Sequence, residues 1–285
     1  MRKTRSPALW TALLLLLLLL PPVTGQAARS TVLDAALSML EDGNPFLVRY
    51  NERTGAGIEA LCPLGCPYFW GGRRVDRLLE PAYPTQDSDY YKTDQLYLSG
   101  LDCAGLTRWI LRQAGWSEHD SISRLLDRGQ YRDFVVPGAA KTLGEERTKC
   151  LQVGDLVALQ HASGGFHIAL YIGTLMNFGY TAKTLPEELA PYLYYPLVIH
   201  CTGSGDYHDR YRDYLEQTGR TDILPPFGGV IVSLLDVPLS TAPLRTAAFP
   251  GLEEAPCFDL EGYRLTVLDL SGERQERWIR WRQKK

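Results

Sequence analysis

Two stretches of this chain decide its fold: Gly100-Leu101-Asp102-Cys103-Ala104-Gly105-Leu106, and Val153-Gly154-Asp155-Leu156-Val157-Ala158-Leu159 leading to Gly165-Phe166-His167-Ile168-Ala169-Leu170-Tyr171-Ile172-Gly173. The first opens a helix. Leu106, Trp109, Ile110 and Ala114 fall on one helical face, and Gly115 sits where a helix commonly ends on glycine. The second changes period and reads as two strands, 155–159 and 166–172. Further apolar runs at 197–201 and 229–235 extend the sheet, and 263–268 is one more strand candidate. Helix first and strands after predict an α+β architecture, with an N-terminal helix packed on an antiparallel sheet.

Working outward, residues 30–42 read as a helix, with Leu33, Ala36, Leu37 and Leu40 on one face, Thr31 and Asp34 as a capping box and Gly43 as its stop. Residues 54–72 are rich in Gly, Pro and Cys and read as loop, and 116–150 as short helix and loop. An aromatic insertion at 175–195 separates the second and third strands and suits a cleft wall or lid. A polar, tyrosine-rich one at 206–226 separates the third and fourth.

The chain has 285 residues, 45% hydrophobic and 22% charged, an ordinary globular composition. The formal charge of −3 gives nucleic acid no reason to bind. Arg2, Lys3 and Arg5, the run Leu13 to Leu20 and the break at Pro21-Pro22 form a secretory leader, with small residues following at Gly25, Ala27 and Ala28. The organisation expected is a signal peptide at 1–27, a helical lead-in at 28–59, a catalytic domain at 60–239 and a C-terminal extension at 240–285. The protein is expected to be exported, to the periplasm, wall or medium, and to meet a membrane only through an uncleaved leader. Removing the leader takes away three positive charges and no acidic ones, so the mature chain is more acidic.

Export permits disulfides. Of the six cysteines, Cys62 and Cys66 are spaced for a local bridge, whereas Cys150, Cys201 and Cys257 show no evident pairing. The Cys62/Cys66 spacing does not suit a zinc knuckle and no second ligand pair follows it, so no metal is expected.

Cys103 at a helix mouth is the candidate nucleophile. Unpaired N–H groups and the dipole favour its thiolate and can hold an oxyanion. His167 alternates with the apolar face formed by Phe166, Ile168, Leu170 and Ile172, so it points away from that core, toward a cleft, as a candidate base. His200 ends another strand and suits the role of orienting the first imidazole. His161 lies in a Ser/Gly-rich loop, and His119 and His208 in charged loops, where solvation is expected. Tyr68 carries a phenol able to donate to an oxyanion.

Pro67-Tyr68-Phe69-Trp70-Gly71-Gly72, Leu101-Asp102-Cys103-Ala104-Gly105-Leu106, Val153-Gly154-Asp155-Leu156-Val157, His167-Ile168-Ala169-Leu170-Tyr171-Ile172-Gly173 and Val198-Ile199-His200 together resemble the NlpC family of cell-wall cysteine peptidases, in order and character across about 60–235. The resemblance implies a papain-like α+β fold and a Cys103–His167–His200 triad. It implies an oxyanion hole from Tyr68 and the Cys103 amide, and substrate binding by Asp102, with Trp70 and Gly71 beside it. It implies a peptidoglycan substrate, commonly cut between γ-D-glutamate and a diamino acid, with no cofactor. Two departures stand out: Ala104 replaces the usual serine, and the insertion lengthens the interval from His167 to His200. The alternatives are an N-acetylmuramoyl-L-alanine amidase on the same fold and a catalytically decayed wall-binding protein.

Overall fold

A computed structural model describes residues 24–40, 48, 51–52, 66–75, 79–81, 91–93, 95–187, 189–203, 215–216, 219, 228–237, 258–260, 263–268, 270 and 273–281. Most of the leader, Cys62, His208, Cys257 and most of 206–226 lie outside them.

Helix α1 runs Thr24–Leu37, starting earlier than the Thr31/Asp34 box suggests and ending short of Gly43. Its buried positions are Val32 and Ala36, continued by Met39 in the following turn. This spacing of four and three places them on one stripe against α2, Cys103–Gln113. Asp102 is the α2 N-cap, extended at φ −87° and ψ −178°, and its Oδ1 accepts the Gly105 N–H at 2.5 Å. Leu106, Trp109 and Ile110 are buried as the stripe requires. Gly115 takes φ 74°, a left-handed conformation in which a side chain would be strained.

Beyond α2 lie two short helices, α3 (Ile122–Leu126) and α4 (Gly144–Thr148). A two-stranded ribbon pairs β1 (Leu79–Pro81) with β2 (Leu96–Leu98). The main sheet holds β3 (Leu156–His161), β4 (Phe166–Gly173), β5 (Leu197–Gly203), β6 (Gly228–Leu235), β7 (Phe258–Leu260), β8 (Tyr263–Leu268) and β9 (Glu273–Ile279). Its order is β7-β8-β6-β5-β4-β3-β9. Every neighbouring pair is antiparallel except β6 and β8, which run parallel.

Both faces of the sheet are covered. Ile168, Leu170, Ile199 and Leu234 pack with α1 and α2. Val157, Leu159, Ala169, Tyr171, Val198 and Leu235 meet Val136, Ala139 and Trp278 on the other side. The face expected to open onto a cleft is therefore a second core. The 175–195 insertion is also drawn in: Leu175, Leu185, Leu189 and Tyr192 are buried in the main cluster, so this part is packed wall rather than lid.

Strand β9 was not legible, because Glu273-Arg274-Gln275-Glu276-Arg277 reads as a solvated run. Charged residues are what an edge strand carries to deter further pairing. The C-terminal residues are tied down by ion pairs. Arg147 is bonded to Asp236 at 2.7 Å and to Glu276, and lies over the Trp278 ring. Arg277 donates to the carbonyls of Leu125, Asp127 and Gln130, and Arg280 donates to Asp155 through two nitrogens.

Candidate active site

The loop 67–72 is held against the mouth of α2 by backbone alone. Leu101 N–H donates to the Pro67 carbonyl, Phe69 N–H to Leu101 and Asp102 N–H to Gly72, while Tyr68 N–H reaches Gly228 on β6. A Cβ on Gly100 would fall 1.9 Å from the Pro67 carbonyl oxygen, and one on Gly105 2.0 Å from that of Gly72. This close approach explains the glycines flanking Cys103. The Phe69, Tyr91 and Tyr97 rings pack edge to face behind the loop, and Trp70 stands 52% exposed at its tip.

Cys103 is half-buried, and its thiol faces the N–H groups of Ile168, Ala104 and Cys103 itself. The Ile168 amide belongs to the peptide that follows His167, so α2 and β4 bring the two predicted residues to one place. The Tyr68 phenol is close enough to Cys103 and Asp102 to feel their charge. Burial first, then those charges, push it up, which keeps it a neutral O–H donor.

A row of polar side chains runs inward from the rim. His161 is 40% exposed and stacks on His167, ring centroids 6.2 Å apart. His167 is 7% exposed, and its Nε2 lies 2.9 Å from His200 Nδ1. His200 is 3% exposed, and its Nε2 lies 2.7 Å from the Oγ of Ser233, itself 1% exposed. For His167 to take a proton at Nδ1, its Nε2–H must donate to His200 Nδ1, and His200 Nε2–H to Ser233. Ser233 was not foreseen. Its signal was a single hydroxyl in the apolar strand Gly228-Gly229-Val230-Ile231-Val232-Ser233-Leu234-Leu235.

Several expectations are corrected here. The helix mouth alone argues for a thiolate, but burial pushes the Cys103 thiol up to about 12, with Asp102 adding to the shift. Burial, then His161, pulls His167 down to about 4. The resting pair is therefore thiol and neutral imidazole. Iodoacetamide should label Cys103 slowly at pH 7, with a rate still climbing at pH 9. A rate plateau below pH 7 would show a preformed ion pair. Asp102 accepts N–H groups from Gly105 and Gly71, so its carboxylate braces the loop and helix rather than standing open for substrate. His161 belongs to β3 rather than to a loop. His119 is buried rather than solvated, bonded to Thr107 Oγ1 and to the Asp120 carbonyl. Cys66, like Cys103, Cys150 and Cys201, carries a free thiol, so the Cys62–Cys66 bridge is not formed.

A helix carrying a cysteine at its N-terminus, laid on an antiparallel-rich sheet, is the papain-like α+β fold. Residues 65–185 match the NlpC/P60 family, so the chain carries the domain of a family of cell-wall cysteine peptidases. The matched span contains Tyr68, Cys103 and His167 and stops before His200 and Ser233. Comparison with curated proteins and with solved structures gives no match.

Proposed function

We propose that the protein is an exported peptidoglycan endopeptidase that cuts the stem peptide after γ-D-glutamate. The observation carrying this reading is the Cys103 thiol seated against the Ile168 N–H, beside His167, within the family-matched span. Cys103 Sγ attacks the carbonyl while His167 Nδ1 takes its proton, so the ion pair forms only as the bond to carbon forms. The Cys103 amide and the Tyr68 O–H receive the oxyanion. His167 then gives its proton to the departing amine, leaving a thioester that water hydrolyses. His200 and Ser233 hold the imidazole in the required tautomer. Asp102 acts through the loop it braces.

Digestion of purified peptidoglycan, followed by mass spectrometry, tests this. The expected products are stem peptides ending in D-glutamate and fragments with a new amine on the diamino acid. Release of intact stem peptides from muramic acid would identify an amidase instead, and unchanged material would overturn hydrolysis.

The two buried histidines are expected to differ. His200→Gln keeps an amide oxygen that can accept from His167, so turnover should fall by about 10–100-fold and remain measurable. His167→Gln removes the only proton acceptor and should lose essentially all turnover. Equal losses in the two variants would overturn these roles.

A further inference from the structure

The exposed end of the imidazole row is the feature the reaction above does not use. His161 sits at the end of β3, cross-strand from Glu273 of β9. Its Nδ1 lies 2.7 Å from Glu273 Oε1, so Nδ1–H donates and Nε2 is the ring atom left for other partners. The ring rests against Gly165, whose Cα carries no side chain to displace it: a Cβ there would lie 3.4 Å from His161 Cδ2. Glu273 is 8% exposed, and its second oxygen, Oε2, is buried without a hydrogen-bond partner. A half-satisfied buried carboxylate is a cost to the fold. Its return here is local: the carboxylate orients His161 and favours the cationic imidazolium.

A cation in that position works against the neighbouring base, because His161 opposes protonation of His167. The opposition disappears when an anion settles on His161. The proposed bond supplies one. In a γ-glutamyl linkage the residue donating the acyl group keeps its α-carboxylate free, four bonds from the scissile carbonyl and about 5 Å away when extended. That reach is comparable to the 6.2 Å between the two rings.

We propose that His161, oriented by Glu273 of β9, binds a carboxylate on the acyl side of the scissile amide and so selects free-acid γ-glutamyl substrates over amidated ones. The inference rests on the endopeptidase reading. Substrate binding then does two things at once: it fills a charged subsite, and it removes the repulsion that keeps His167 from accepting the thiol proton.

The test uses two muropeptides that differ only at D-glutamate, one with the free α-carboxylate and one with that group amidated to isoglutamine. The wild-type protein should prefer the acid in kcat/KM. His161→Gln should lose about tenfold on the acid, the size of one charge-assisted hydrogen bond, and less than twofold on the amide. Glu273→Gln should lower the acid-to-amide ratio in the same direction. Calorimetric binding of both muropeptides to Cys103→Ala, with and without His161→Gln, reads the same preference without turnover. Equal loss on both substrates marks His161 as merely structural and overturns the inference, as does a wild-type protein that shows no preference. If the wild type cleaves neither form, the endopeptidase reading itself fails, and the subsite falls with it.

Discussion

Cys103→Ala is expected to lower peptidoglycan hydrolysis by at least about 10⁴-fold while the protein still melts within a few degrees of the wild type. The loss is large because the thioester route has no other nucleophile: the neighbouring side chains of His167, Tyr68 and Asp102 move or hold protons but form no acyl bond here. The fold should survive because its cap, its stripe and its glycine contacts do not involve sulfur. Asp102 caps α2, Leu106, Trp109 and Ile110 bury its face, and Gly100 and Gly105 admit the 67–72 loop. Removing Sγ leaves only a small, partly open space. Circular dichroism and a melting curve check the fold, and muropeptide digestion checks the activity. A well-folded Cys103→Ala protein that still digests peptidoglycan would end the cysteine-peptidase reading.

The second large effect is on stability in acid. Burial lowers His119 and His167 to about 4 from an ordinary 6.5, and lowers His200 further. In the unfolded chain these imidazoles take up protons as pH falls below about 6.5. In the folded protein they resist until about pH 4. Stability is therefore full above pH 6.5 and is lost as pH falls toward 4. Two and a half pH units at 1.36 kcal/mol each make about 3 kcal/mol apiece for His119 and His167. Set against a typical stability of about 5–15 kcal/mol, this is enough to unfold the protein within that window. The raised carboxyls of Asp102 and Asp236 act in the opposite sense. His119→Gln, which lies outside the active site, isolates one contribution. Denaturant unfolding measured from pH 4 to 6.5 should show its slope against pH reduced by one proton, about 1.4 kcal/mol per pH unit. An unchanged slope would show that His119 does not titrate on unfolding.

What could be read beforehand was what depends on neighbours in sequence. The β3, β4, β5, β6 and β8 windows follow from apolar runs between turns, and α2 from its stripe and its terminal glycine. The pairing of Cys103 with His167 rested on motif order, and the fold brings their segments together. What could not be read was set from far along the chain. His119 sits between Glu118 and Asp120, a setting that suggests solvent, yet Trp281 packs edge-on against it. The helix-mouth argument for a thiolate uses only the first turn of α2, whereas the protein crowded around the thiol decides its protonation. His161 in a glycine-rich run gives no hint of Glu273, which is 112 positions away.

The placement of β9 beside β3 bears on how fast the chain can find its fold. The Asp155–Arg280 pair spans 125 positions and the Arg147–Glu276 pair 129. Such a ladder cannot start from a local hairpin. The entropy of closing a loop that long must be met before any pairing compensates it. Contact order of this kind puts refolding in about the millisecond-to-second range rather than the microseconds of a helical bundle. Until β9 arrives, Leu156-Val157-Ala158-Leu159 presents an open apolar edge to any other chain in solution. The family-matched stretch 65–185 ends before β5, β6 and β9, so on its own it is a sticky folding intermediate and not a smaller enzyme.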